Sequence, residues 1–282
     1  MTERLVRRLV TTQFPDLADR VIRRAGQGWD NAIFRVGDDL AARLPTRQLG
    51  ADLVDGEVRW LPELAPHLPL PIPSPMRVGS PSENYPWRWT IVPWFDGPLA
   101  WECELDSDRA ARDLGAFIAA LATPAPRDAP INPFRGVPLA ARDELVRQRL
   151  VGLPAGFDPR EIQRAWGECL NATPFDGAPV WVHGDLHPAN VVVCDGTLAA
   201  IIDFGDLTAG DPAADLSAAW MFFPDAASRT RFRFAAGEPD DTTWLRARGN
   251  AIAHAVACLH APATDTRIRT IGARTLERVL SD

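Results

Sequence analysis

The 282-residue chain has no lysine, and all 30 of its basic residues are arginine. This excludes a Schiff-base lysine, a lysine general base and the lysine of a P-loop. Ala, Arg, Pro and Gly are abundant, so a GC-rich coding bias is a plain cause for the absence, and a functional reading has to stand beside it. Long apolar runs are also missing. No stretch approaches 18 consecutive apolar residues, so no membrane-spanning helix is expected. The four cysteines, Cys103, Cys169, Cys194 and Cys258, lie far apart with no C-x-x-C spacing. That pattern points away from a zinc site or a disulfide framework and toward a reduced, cytoplasmic setting. Positive charge is in deficit: 37 acids give a net charge of −7. All of the deficit lies beyond residue 95, where 18 arginines face 26 acids. A general nucleic-acid binder is not expected from that balance.

What is present reads as two regions. Residues 1–10 interleave Arg4, Arg7 and Arg8 with Leu5, Val6 and Leu9, an amphipathic helix rather than a secretory signal. The first 25 residues read as one or two short helices broken near Phe14-Pro15. Two short runs at 32–36 and 40–44 flank the turn Gly37-Asp38-Asp39 and read as a β-hairpin. Leu49, Leu53, Val58, Leu61 and Leu64 give residues 48–65 one apolar helical face. Strand-like runs follow at 76–78 and 87–94, and the second ends in the turn signal Phe95-Asp96-Gly97-Pro98. Beyond it, helical patterns occupy about 107–121, 138–150 and 159–170, short strands fall at 180–182, 191–194 and 198–202, and the chain after Asp211-Pro212 is helical. The expected architecture is α+β: a small antiparallel-sheet N-lobe over residues 1–95 and a larger, mainly helical C-lobe over 96–282.

The densest polar segment is His183-Gly184-Asp185-Leu186-His187-Pro188-Ala189-Asn190, followed after a short strand pair by Ile202-Asp203-Phe204-Gly205-Asp206. Asn190 at the start of one strand and Asp203 at the end of the next offer hard oxygen ligands. These suit Mg²⁺, which takes one or two carboxylates together with substrate phosphates. Asp185 is then free to accept a proton. The H-x-D-x-H spacing of His183, Asp185 and His187 also occurs in dinuclear zinc hydrolases. Such sites need further histidines, and His67, His254 and His260 stand in poor contexts for that role.

The pair H-G-D-L-H-P-x-N and I-D-F-G resembles the aminoglycoside phosphotransferase and choline kinase superfamily, and parallels the H-R-D-x-x-x-x-N and D-F-G elements of protein kinases. Gly210-Asp211-Pro212-Ala213-Ala214-Asp215-Leu216 matches the family's G-D-P-x-x-D-L segment. The resemblance implies a protein-kinase-like bilobal fold and a Mg²⁺-dependent kinase that uses ATP or GTP on a small-molecule hydroxyl. It implies Asp185 as catalytic base and Asn190 and Asp203 as Mg²⁺ ligands. It implies His183, His187 and Asp215 as supports of the loop. Gly28 and Asn31 would belong to the loop covering the nucleotide, and Arg43 would stand where kinases place the phosphate-contacting lysine, paired with Glu57. Backbone groups near Val92 and Trp94 would meet the purine edge.

The acceptor is read from the acids. Glu102 and Glu104 follow the hinge, and Glu238, Asp240 and Asp241 sit near the C-terminal helices. Carboxylates from comparable regions of aminoglycoside enzymes hold ammonium groups, which makes a cationic, aminoglycoside-type acceptor the first expectation. The same acids can serve as helix caps. Trp101 and Asp206 are further substrate candidates. Macrolide, sugar and other small-metabolite kinases of the same fold are the alternatives, and a catalytically silent binding protein is a reading from another class. No nucleic-acid or membrane partner is expected, and the protein is expected as a monomer or homodimer.

Overall fold

A computed structural model describes residues 1–282, the side chain of Gln27 excepted. The chain divides into two compact units. The first comprises Met1–His67, Pro71–Asp96 and Ala200–Gly205, and the second Leu68–Leu70, Gly97–Ala199 and Asp206–Asp282.

The first unit begins with α1 (Glu3–Gln13), whose N-terminus is capped by the Thr2 hydroxyl accepting from Leu5 N. Its sheet is built from β1 (Ile22–Gln27), β2 (Asn31–Val36), β3 (Leu40–Pro45), β4 (Arg77–Gly79) and β5 (Trp89–Pro93). The strand order is β1-β2-β3-β5-β4, with every pairing antiparallel. Along β2 the residues Ala32, Phe34 and Val36 are buried and alternate with more exposed ones, the period-two pattern of a sheet with one face in the core. β3 is buried along its whole length. It sits mid-sheet and α2 (Gln48–Leu64) packs on it. Phe34, Leu44, Trp89 and Ile91 meet Val6, Leu9 and Val10 of α1 in one apolar cluster. Full burial of one such side chain contributes about 1.5–3 kcal/mol.

One sequence expectation is overturned here. Residues 22–27 form the edge strand β1 and not helix. The run Ile22-Arg23-Arg24-Ala25-Gly26-Gln27 has little apolar alternation. Its conformation comes from pairing with β2, and a bulge between Arg24 and Gly26 interrupts the register.

The second unit contains α3 (Ser107–Leu121), α4 (Asp143–Leu150), α5 (Pro159–Leu170), β6 (Val180–Val182), β7 (Val191–Cys194), β8 (Thr197–Ile201), β9 (Thr208–Gly210), α6 (Ala213–Leu216), α7 (Ala218–Phe222), α8 (Ala226–Ala235), α9 (Asp241–Leu259) and α10 (Thr266–Leu280). The last two residues of β8 lie in the first unit. The strand β9, which pairs antiparallel with β6, was not anticipated from sequence. Helices α3, α8, α9 and α10 each begin behind an aspartate, Asp106, Asp225, Asp240 and Asp265, whose side chain accepts from a first-turn amide. α9 is the central helix of the unit, packed by α4, α5, α6 and α10. Among the described residues no helix is long and apolar enough to cross a membrane.

Candidate active site

Strand β6 delivers the loop of residues 183–190. Gly184 has φ +84°, and a Cβ there would lie 2.6 Å from the Asp206 carbonyl oxygen, so this position requires glycine. Asp215 in α6 accepts from His183 N at 2.7 Å and Gly184 N at 2.9 Å, pinning the start of the loop. Burial lifts the Asp215 carboxyl above its ordinary range, against the pull of His183 and those two amides. The His183 imidazole Nδ1 accepts from Asp185 N at 3.2 Å. His187 Nδ1 accepts from Ala189 N, so the ring proton sits on Nε2, which faces Asp185 Oδ2 at 3.3 Å. Asn190 donates from Nδ2 to Asp185 O at 2.9 Å and to Asp185 Oδ2 at 3.3 Å. Its carbonyl Oδ1 is left without a hydrogen-bond donor among the described residues.

The other half of the Asp185 environment was not anticipated. Arg135 Nη2 donates to Asp185 Oδ1 at 2.6 Å, its Nε donates to Asp206 Oδ2 at 3.2 Å, and its Nη1 lies 3.2 Å from His254 Nδ1. Burial works against ionisation of Asp185, but the Arg135 guanidinium and the hydrogen bond from His187 outweigh it and hold the carboxyl well below the usual carboxylate range. Burial and then the Arg135 cation hold the His254 imidazole well below its ordinary pKa of 6.5, in the neutral form that can accept from Arg135. Ligand atoms of Asp185, His187 and His254 lie within 4.8 Å of one another. Two of these three residues, Asp185 and His254, already engage the Arg135 guanidinium.

Arg135 is held by its own loop. Asn132 N donates to Thr208 Oγ1 of β9, Asn132 Nδ2 to Asp206 Oδ1, and Phe134 N to Asn132 Oδ1, each at 2.8 Å. From the opposite side, α9 presents Arg246, Asn250 and His254, spaced by four residues and all buried. Arg246 pairs with Asp211 through Nε at 2.7 Å, Asn250 Oδ1 lies 3.4 Å from Arg142 Nη1, and His254 meets Arg135. Polar residues at i, i+4 and i+8 of an Ala-rich helix are the sequence signal that would have found this ladder.

In the first unit, Arg43 Nη1 and Glu57 Oε2 are 2.7 Å apart and both side chains are buried. Burial opposes the Arg43 charge, but Glu57 and Asp203 overcome it and raise the guanidinium pKa. Burial likewise lifts the Glu57 carboxyl despite the pull of Arg43. Asp203 is exposed, has φ +65°, and meets no hydrogen-bond donor among the described residues. Gly28 N donates to Asn31 O at 2.9 Å, closing a turn between β1 and β2, and Asn31 Oδ1 is buried without a partner among the described residues. Val92 is buried in β5. Trp94 N donates to Asp39 O, and its indole N–H to Asp96 Oδ1, so neither N–H is free for a purine edge.

Several of the acids expected around an acceptor have local partners. Glu102 Oε2 accepts from Leu99 N, Asp240 caps α9 through Thr243 N, and Asp241 pairs with Arg233. Glu104 and Glu238 are exposed. Asp206 is tied to Arg135 and Asn132. Trp101 N donates to Pro188 O of the loop, and its indole Nε1 is buried without a partner among the described residues. The exposed carboxylate of Asp203 in the first unit and the Oδ1 of Asn190 in the second are each hard oxygens of the kind that Mg²⁺ takes.

No protein of curated function matches the sequence at a significant level. Among solved structures, the GDP complex of wild-type aminoglycoside 2'-phosphotransferase-IIIa is similar at a TM-score of 0.70 and 20% identity, covering 100% of this chain and 99% of that one. The GDP and kanamycin complex of APH(2'')-IIIa has a TM-score of 0.70 at 21% identity over 98% of each chain. The apoenzyme of macrolide 2'-phosphotransferase MphH from Brachybacterium faecium has 0.64 at 22% identity over 97% of each. At these identities the likeness establishes the fold. The sequence itself matches the phosphotransferase enzyme family over residues 21–250, and the chain belongs to that family.

Proposed function

We propose that the protein transfers the γ-phosphoryl group of ATP or GTP to a hydroxyl of a small molecule, with Asp185 as the residue that receives the hydroxyl. The observation that supports this most is the 183–190 loop of a phosphotransferase-family chain, in which Asn190 is locked onto Asp185 by its amide nitrogen while its oxygen stays free. In the reaction the acceptor oxygen forms a bond to the γ-phosphorus, and the bond from that phosphorus to the β,γ-bridging oxygen breaks. The nucleoside diphosphate leaves with the electron pair, and the hydroxyl proton passes to the Asp185 carboxylate. A carboxylate held ionised by Arg135 is a weak base. Asp185 therefore orients the hydroxyl and takes its proton late, as expected where phosphoryl transfer depends chiefly on positioning.

Arg43 is the proposed phosphate anchor, its fork set by Glu57. The turn of residues 28–31 would cover the phosphates, and the segment around Val92 and Trp94 would lie beside the base. Bound Mg²⁺, held by Asn190 and Asp203, would neutralise charge on the transferring phosphates. The intact set Asp185, Asn190 and Asp203 favours an enzyme over a silent binding protein. Aminoglycosides and macrolides belong to the neighbours' own names. In this chain three of the acids that suggested a cationic acceptor, Glu102, Asp240 and Asp241, have local partners, and Glu104 and Glu238 are exposed.

The test is thermal stabilisation by ATP and GTP with and without Mg²⁺, followed by nucleotide consumption. At a hundred-fold excess over Kd, binding stabilises by about 2.7 kcal/mol, which is several degrees for a chain of this size. A melting temperature unmoved by both nucleotides, with no consumption, would refute the proposal.

A further inference from the structure

The second unit holds a cavity of about 240 Å³, lined by Phe134, Arg135, the hydrogen-bond partner of Asp185, and by Arg142, Leu145, Arg149 and Asp206 among others. Three cations and one carboxylate share this wall. Arg135 accounts for that carboxylate, since it spends its donors on Asp206, Asp185 and His254. Arg142 and Arg149 have no carboxylate partner among the described residues. Arg142 is only 7% exposed, and its one guanidinium hydrogen bond there is a long contact of 3.4 Å to Asn250 Oδ1. Arg142, Leu145 and Arg149 are spaced by three and four residues, which puts them on one face of the segment running into α4.

Charges buried without a counter-ion are costly, and like charges crowded together add to the cost. The arginines register it: burial, then the neighbouring cations Arg135 and Arg149, lowers Arg142 to about 10, and burial followed by Arg135 lowers Arg149. An ammonium-rich acceptor would add to this repulsion. An oxyanion would relieve it, because a guanidinium fork accepts carboxylate or phosphate oxygens bidentately.

We propose that the acceptor is an anionic hydroxyl compound whose carboxylate or phosphate group docks on Arg142 and Arg149 in this cavity. The proposal names the acceptor class of the phosphotransferase reading above and rests on it for the transfer step, but its binding half stands alone. Arg135 joins the two: it borders the cavity and is bonded to Asp185. The anion is thereby kept off the Arg135 fork and the hydroxyl end is left for Asp185.

The experiment measures binding without nucleotide, by calorimetry at low ionic strength. The probes are gluconate, glucuronate and glucose 6-phosphate, with glucose as neutral control and kanamycin as polycation. At least one anion should bind saturably, glucose and kanamycin should not, and Arg149→Gln should weaken the anion about ten-fold. Arg149 is only half-buried, so this variant is expected to fold, and circular dichroism checks that it does. Carboxylate and phosphate docking are separated by which of the three anions binds. Kanamycin binding with none of the anions, no saturable binding of any anion, or an Arg149→Gln affinity equal to wild type would overturn the proposal. Anion binding that depends on Arg149 but supports no transfer from Mg²⁺-nucleotide would leave the cavity assignment standing and sink the phosphotransferase reading. Transfer to neutral or cationic acceptors that ignores Arg149→Gln would do the reverse.

Discussion

Replacing Arg43 with methionine should destabilise the protein by about 3–5 kcal/mol, the usual cost of stranding one member of a buried ion pair. The structure argues for that magnitude. Glu57 is 2% exposed, its Oε2 is 2.7 Å from Arg43 Nη1, and its Oε1 has no hydrogen-bond partner among the described residues. With the guanidinium gone, no donor remains, and the charge of Asp203 adds repulsion. Burial already lifts the Glu57 carboxyl above 4.5, and loss of Arg43 lifts it further. A group whose folded pKa is raised contributes its stability below the unfolded value and loses it as pH rises through the folded one. The variant's stability should therefore fall more steeply than wild type as pH rises above about 4.5. Adding Glu57→Leu should recover most of the loss, since it removes the stranded carboxylate. Urea denaturation of wild type, both single variants and the double variant at pH 6 and pH 8 gives the coupling directly. Effects additive within about 0.5 kcal/mol, or no steeper pH dependence in Arg43→Met, would refute the buried-pair account.

Three other variants probe separate parts of the molecule. Arg43→Lys keeps the charge but loses the fork, and nucleotide affinity should weaken about ten-fold; an unchanged affinity would mean that Arg43 is not the phosphate anchor. His254 is held neutral when folded, so only the unfolded chain takes up its proton below about pH 6.5. That costs about 1 kcal/mol of stability between pH 6.5 and 5.5, and His254→Gln should remove this part of the slope, whereas parallel curves for the two proteins would contradict it. Burial pushes the Cys258 thiol up to about 12 and the Cys169 thiol to about 11, while Cys194 is exposed. A thiol reagent should label Cys194 and the half-buried Cys103 before unfolding and the buried pair only on unfolding, and rapid labelling that survives Cys194→Ser combined with Cys103→Ser would count against that placement.

What was legible in the sequence depended on how local the determinants are. The helices Ser107–Leu121 and Pro159–Leu170 announce themselves by apolar spacing and by the acids Asp106 and Asp158 that cap them. The 183–190 loop is equally local. Asp185 N bonds two residues back to His183, and Asn190 bonds five residues back to Asp185. The edge strand β1 is not local. Its partner β2 supplies the hydrogen bonds that its own sequence does not advertise. Arg135 is the extreme case, since its partners Asp185, Asp206 and His254 lie 50, 71 and 119 residues along the chain. Nothing near Arg135 distinguishes it from 29 other arginines. The acids are ambiguous in sequence for a related reason. Asp240 and Glu102 follow turn and cap chemistry that looks the same in one dimension as a ring of carboxylates. A cavity wall of Arg142 and Arg149 is visible only once α4 is placed.

The central claim is that Asp185 receives the acceptor hydroxyl in phosphoryl transfer, and Asp185→Asn tests it most directly. The substitution keeps the size of the side chain and removes its charge and its capacity to take a proton. Turnover of Mg²⁺-nucleotide with an acceptor should fall by about 10²–10⁴-fold, while the nucleotide Kd measured by calorimetry stays within about two-fold of wild type. Turnover within a few-fold of wild type at the same Kd would contradict the account.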